Sequence, residues 1–255
     1  MPAASRALLE LARRRRPDLV VISGDLTQRA KPREFRQARE FVARLEQPWI
    51  AVPGNHDVPM YRFWERLLVP YGAYRAHFDT ELEPVWQSDA LFVVGVNSAH
   101  GLTIDEGWAR RSRLRRLARQ LQEAPPGAAR VVVIHHLLIP PPLPGKQQVL
   151  RNAEATVEVL VEAGVDLVLS GHHHRSFFGY GQDLYPVGGR PLPLVYAGTG
   201  SSSRGRGVEA GVCACNWIEI HGSEIRLSVL RWRSGDEAFS EDERYVLPAD
   251  RWVEL

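Results

Sequence analysis

Cysteine, lysine and methionine are almost absent from this chain of 255 residues, with two of each. Cys213 and Cys215 would share one face of a strand, a poor geometry for a disulfide, and a thiolate zinc site would need more sulfur than these two supply. A reduced, cytoplasmic setting is therefore the expectation. No apolar run approaches the roughly 18 residues of a membrane span. The opening MPAASRALLELARRRRP places its basic run after its apolar part, the reverse of a secretory signal. Internal repeats and linker-like low-complexity stretches are missing too. The formal net charge is only +2, so the overall field attracts no polyanion. Positive charge is nearly all arginine, Lys31 and Lys146 being the two lysines. The run Arg13–Arg16 reads as the cationic last turn of a helix, where it meets the negative end of the dipole.

What is present is an alternation of helical patterns with short apolar runs, the mark of βαβ units. Ala7, Leu8 and Leu11 give a first helix its stripe, and Pro17 ends it. Residues 18–22 read as a strand. Pro32 opens a helix carrying Phe35, Ala38, Phe41, Val42 and Leu45 at helical spacing. Further strands are expected at 49–52, 91–96, 131–134 and 165–169, with a helix at 108–122. Another helix should run from an Asn152 N-cap to a Gly164 C-cap. Residues 60–88 read as irregular, and Pro140–Gly145 as a stiff loop. From Leu194 onward the pattern becomes alternating, with antiparallel strands at 212–220 and 224–232 joined at His221-Gly222-Ser223.

Polar clusters follow four of the strands. Strand 18–22 runs into Ser23-Gly24-Asp25, and strand 49–52 into Pro53-Gly54-Asn55-His56-Asp57. Strand 131–134 ends at His135-His136, and strand 165–169 at Ser170-Gly171 and the histidines 172–174. A lone Gly-Asp is more often a turn, and a His tract more often a solvated one. All four at the carboxyl ends of neighbouring strands, on a single sheet edge, point instead to a ligand site. Carboxylate, amide oxygen and imidazole suit Mn, Fe, Zn or Co better than Ca.

On these residues the chain resembles the calcineurin-like metallophosphoesterases, in particular bacterial members close to the class III cyclic-nucleotide phosphodiesterases. The carrying stretches are GDLTQRA from Gly24, PGNHD from Pro53, His135-His136, SGHHHRS from Ser170 and AGTGSSSR from Ala197. The resemblance implies a four-layer αββα sandwich, two packed mixed β-sheets flanked by helices, in a single phosphoesterase domain spanning 1–255. It implies a metal-dependent hydrolase of phosphoric esters with two divalent ions (Mn, Fe or Zn) and attack by a metal-bound hydroxide. Asp25 would bridge the ions, Asn55, His135 and His172 would hold the second, and His174 the first. His56 would contact the phosphate and assist the leaving oxygen, with Asp57 orienting its ring. The substrate expected is a small phosphodiester of cyclic-nucleotide or glycerophosphodiester type, with a phosphomonoester as the alternative. Neither a membrane nor a nucleic-acid polymer is expected as partner, and a homodimer is left open.

The family also carries an Asp-x-His strand before the Gly-Asp step. Here only residues 1–23 precede Gly24, without a histidine, and Asp18 opens a strand. Three readings follow: a mis-assigned start, a truncation retaining one metal, or a phosphate-ligand-binding protein impaired in catalysis. The first is the expectation, because Ala7–Ile22 reads as an intact helix and strand of an interrupted unit. The first strand would then be missing, and the chain less stable than an N-terminally extended form.

Overall fold

In the computed structural model, residues 3–142, 148–202, 204–205, 207–247 and 253–254 are described. Part of the expected Pro140–Gly145 loop lies outside them. Helix α1 (Ala3–Arg15) leads to strand β1 (Val20–Ile22), α2 (Pro32–Val42) and β2 (Trp49–Ala51). Then come α3 (Phe63–Leu68), α4 (Gly72–His77), β3 (Val85–Gln87), β4 (Leu91–Val96), α5 (Arg111–Leu121) and β5 (Ala129–Ile134). Helix α6 (Ala153–Glu162) precedes β6 (Leu167–Ser170), β7 (Phe177–Tyr180) and β8 (Pro193–Tyr196). The chain closes with β9 (Cys213–His221), β10 (Glu224–Trp232), β11 (Ser240–Leu247) and β12 (Val253–Glu254).

Six strands form one mixed sheet in the order β3-β4-β5-β6-β8-β7, with β4, β5, β6 and β8 parallel and the outer two antiparallel. The antiparallel sheet β12-β11-β10-β9 and the parallel pair β1-β2 lie against it. Their facing side chains make one apolar interior, with Ile50 and Val52 near β2, Val93, Val131 and Leu167 from the large sheet, and Ile225 and Leu227 from β10. Helices cover the outer faces. Leu114, Leu117 and Leu160 of α5 and α6 pack on the six-stranded sheet, whereas Ala4 and Ala7 of α1 pack with Cys213 and Leu230. Phe35 of α2 and Tyr74 of α4 meet edge to face at 5.7 Å beside Ala51. The four-layer sandwich is thus the observed fold.

Two expectations need correction. Residues 60–88 are not irregular, since they hold α3, α4 and β3. Asn152 stands at the N-cap position of α6 but does not cap it. Its amide instead exchanges hydrogen bonds with the Ala109 backbone, donating at 2.7 Å and accepting at 3.2 Å. Gly164 does fill its expected role, with φ of +68° just beyond Ala163. Among the described residues β1 pairs with β2 alone, and β9 with β10 alone. A cavity of about 1480 Å³, floored by Val93, Val131, Leu167 and Val195, is lined by both strands. No helix of the described residues is long and apolar enough to cross a membrane.

Candidate metal centre

The four polar clusters do converge, although not on a single sheet edge. β1 and β2 deliver Asp25 and Asn55 from the small parallel pair, and β5 and β6 deliver His135 and His172 from the large sheet. Two pairs of parallel strands therefore point their carboxyl ends into one cleft. Tight turns make the re-aiming possible. Gly24 has φ of +100°, and Asp25, His172 and His174 are themselves left-handed at +56°, +66° and +56°. This conformation costs an ordinary L-residue about 1 kcal/mol or more. Only five non-glycine residues among those described adopt it, and three are expected ligands. Strain concentrated in this way is a mark of a functional site.

The hydrogen-bond directions decide the chemistry. His135 is fully buried and its Nδ1–H donates to the Ser23 carbonyl at 2.7 Å, which leaves Nε2 with a lone pair in the neutral ring. Nε2 lies 3.1 Å from Asn55 Oδ1 and 3.3 Å from Asp25 Oδ1. The Asn55 amide is turned by its Nδ2, which donates to Asp105 at 3.2 Å and so presents Oδ1 inward. His172 Nδ1 closes the set, at 3.0 Å from Asn55 Oδ1 and 3.2 Å from His135 Nε2. Asp25 Oδ1 accepts the His56 amide at 3.1 Å, whereas Oδ2 is buried with no hydrogen-bond partner. Two imidazole nitrogens, an amide oxygen and an orphaned carboxylate oxygen converging in this way have the chemistry of a divalent-cation donor set. Asp25, Asn55, His135 and His172 thus fit one ion.

A second grouping adjoins it. Asp25, His56 and His174 place ligating atoms within 4.8 Å of one another, and His135, His136 and His172 do the same. His136 is buried, with Nδ1 2.7 Å from Ser98 Oγ and Nε2 without a partner. His173 is buried and belongs to neither group.

Burial pushes the Asp25 carboxyl up, but His135, His56 and His172 outweigh it and hold the group below its ordinary value. Burial and His135 lower His172 to about 3, and burial takes His136 well below its usual range. All three groups therefore present metal-ready protonation states at neutral pH.

One expected role is not what the geometry shows. Asp57 does not touch the His56 ring, whose Nδ1 donates to the Gln28 carbonyl at 3.0 Å. Asp57 is 1% exposed. Its carboxylate accepts Gly54 N, Leu26 N, Thr27 N and Thr27 Oγ at 2.9 to 3.2 Å. It clamps the Gly24 loop to the Gly54 loop and so sets the spacing of Asp25 and Asn55. Burial and the neighbouring Asp25 push its carboxyl up to about 7 against the pull of those amides.

Two positioning residues had no sequence signal. Asp105 orients Asn55 from a loop without periodicity. The Tyr196 hydroxyl takes the Leu138 and Ile139 amides and donates to the Ile139 carbonyl, pinning the chain just after His135-His136.

The calcineurin-like phosphoesterase family profile matches residues 2–176. The chain belongs to that family. Over 167 residues it is 33% identical to a Synechococcus protein named "Probable cyclic nucleotide phosphodiesterase", covering 65% of this chain and 61% of that one. The glycerophosphodiester phosphodiesterase GpdQ of Enterobacter lignolyticus is 46% identical over 44 residues, 17% of this chain and 16% of its own length. The chain thus spans about three fifths of the first relative and far less of the second. A dimetal phosphatase from Danio rerio shares the fold with a TM-score of 0.57 and 11% identity, over 98% of this chain and 87% of that one.

Proposed function

We propose that the chain hydrolyses a small phosphodiester at a divalent-metal centre held by Asp25, Asn55, His135 and His172, with His174 serving an adjoining ion. The observation that carries this reading is the convergence of His135 Nε2, turned inward by the contact of Nδ1 with Ser23, on Asn55 Oδ1 and Asp25 Oδ1. Bound there, Mn, Fe or Zn would act as a Lewis acid on the phosphoryl oxygens. The chain's own residues supply the rest. Asp57 holds the two ligand loops in register. His56, partly exposed at the cleft with Nδ1–H engaged by Gln28, offers Nε2 to a phosphate or leaving oxygen. The names of the Synechococcus and Enterobacter relatives favour a phosphodiester over a phosphomonoester.

Mn-loaded protein should hydrolyse bis(p-nitrophenyl) phosphate faster than p-nitrophenyl phosphate, and chelation should abolish both rates. Bound metal with activity on neither ester would instead favour a ligand-binding protein.

A further inference from the structure

Ten large hydrophobic side chains are exposed among the described residues, and eight of them fall in two short segments, 61–69 and 102–104. Tyr61, Phe63, Trp64 and Leu68 are between 63% and 76% exposed. The two segments are joined. Arg66 sends its guanidinium to the Pro59 and His100 carbonyls, and Gly101 sits so close to the Arg66 carbonyl that no side chain fits between them. The loop that carries Leu102 and Ile104 goes on to Asp105, which holds Asn55. A continuous apolar rim therefore borders the metal centre.

The charges flanking the 61–69 half of this rim are mostly positive, whereas Asp105 and Glu106 follow the 102–104 half. Arg29 lies 5.9 Å over the Tyr61 ring, Arg62 donates to the Ala30 carbonyl at 2.7 Å, and Lys31 is exposed beside them. Glu65, paired with Arg62 at 2.8 Å, is the one carboxylate between residues 59 and 78. Aromatic and aliphatic side chains flanked by arginine and lysine suit a headgroup boundary, where rings enter the acyl edge and cations meet lipid phosphates.

We infer that the rim of Tyr61, Phe63, Trp64, Leu68, Leu102 and Arg29 docks on the surface of an anionic phospholipid bilayer. Such a surface is not legible in the sequence, because these side chains lie exposed together only once α3 and the 102–104 loop have folded side by side.

The test is co-sedimentation of the full chain with phosphatidylcholine vesicles, with and without about one third phosphatidylglycerol. Binding is expected to the anionic vesicles, to weaken with salt, and to fall about tenfold in Trp64→Ala/Leu68→Ala. Arg29→Gln should lower it specifically for anionic vesicles. All these side chains are exposed, so turnover of bis(p-nitrophenyl) phosphate in solution should be unchanged. Equal partition of wild type and double variant, or no partition at all, overturns the inference. So does a dimer in analytical ultracentrifugation that the double variant converts to monomer, which would assign the rim to a second copy. A chain that binds vesicles but hydrolyses no ester leaves the docking surface standing and counts only against the phosphodiesterase reading.

Discussion

Asp105 sets the direction in which Asn55 faces. The Asn55 Nδ2 donates to Asp105 at 3.2 Å, and this alone distinguishes the two ends of an amide that would otherwise turn freely. With Oδ1 inward, Asn55 joins His135 and His172 as an electron-pair donor. Asp105→Ala should therefore weaken Mn binding roughly tenfold, the usual scale for losing the partner that orients a metal ligand. Asn55→Ala should reduce metal content further. Titration calorimetry and metal analysis of the purified variants check both, and an Asp105→Ala protein with wild-type affinity would remove that residue's role.

His56 and Asp57 are neighbours with different work. His56→Ala should slow turnover of bis(p-nitrophenyl) phosphate while bound metal stays near the wild-type level, because Asp25, Asn55, His135 and His172 converge without the His56 ring. Asp57→Ala should instead lower thermal stability. It strands the buried amides of Gly54 and Thr27, at about 1–3 kcal/mol for each unmade hydrogen bond. Metal loss in His56→Ala would count it among the ligands, as its proximity to Asp25 and His174 permits.

Much of this candidate site was legible in the chain because each proposed ligand sits just after an apolar run, as Asp25 does after Val20–Ile22 and His135 after Ala129–Ile134. The glycine before Asp25 also announces its turn. The partition of the strands was not legible. Nothing in an apolar run of three residues says that β1 and β2 form their own pair while β5 and β6 belong to a six-stranded sheet. Side-chain destinations fared worst. Asn152 has the chemistry of an N-cap, yet Ala109, 43 residues away, satisfies it better. Asp105 reaches Asn55 across 50 residues. Such contacts depend on loops packing after the sheets have formed, and leave no period in the sequence.

Gly54 tests how tightly the cleft is built. A Cβ at this position would collide with the Asp25 carboxylate and come within 2.8 Å of His135 Cε1. Neither neighbour can retreat, since one is held by the His56 amide and the other by Ser23. Gly54→Ala should therefore abolish most metal binding while far-ultraviolet circular dichroism keeps its native shape. Full metal content in this variant would show that the cleft relaxes more than its packing suggests.

Glu209 ties the histidine loop to the four-stranded sheet. It is fully buried, accepts the Ser176 amide at 2.9 Å and pairs with Arg231 at 3.2 Å, while Asp242 and Glu243 complete the shell around Arg231. Removing one partner from a buried pair leaves an uncompensated charge, a loss of about 3–5 kcal/mol when no other partner remains. Asp242 and Glu243 still face Arg231, so Glu209→Ala should cost less, roughly 2–3 kcal/mol. Glu209→Gln should recover part of this, because its amide oxygen still accepts from Ser176. Urea denaturation of the three proteins gives the order directly, and equal midpoints would dismiss the tether.

The two thiols allow a test of interior packing away from the metal centre. Burial pushes Cys215 up to about 12 and raises Cys213 as well. A raised thiol pKa means less thiolate at any pH below it, and thiolate is the species that reacts. At pH 8 Cys215 of the folded chain should therefore alkylate with iodoacetamide at least about a hundredfold more slowly than in the urea-unfolded chain, where the thiol returns to roughly 8.5. The rate on the folded protein should climb as the pH rises from 8 to 10. Rapid modification of Cys215 at pH 8 in the native state would mean that β9 opens where α1 and Arg15 cover it, and that this edge of the sandwich is far less settled than its packing implies.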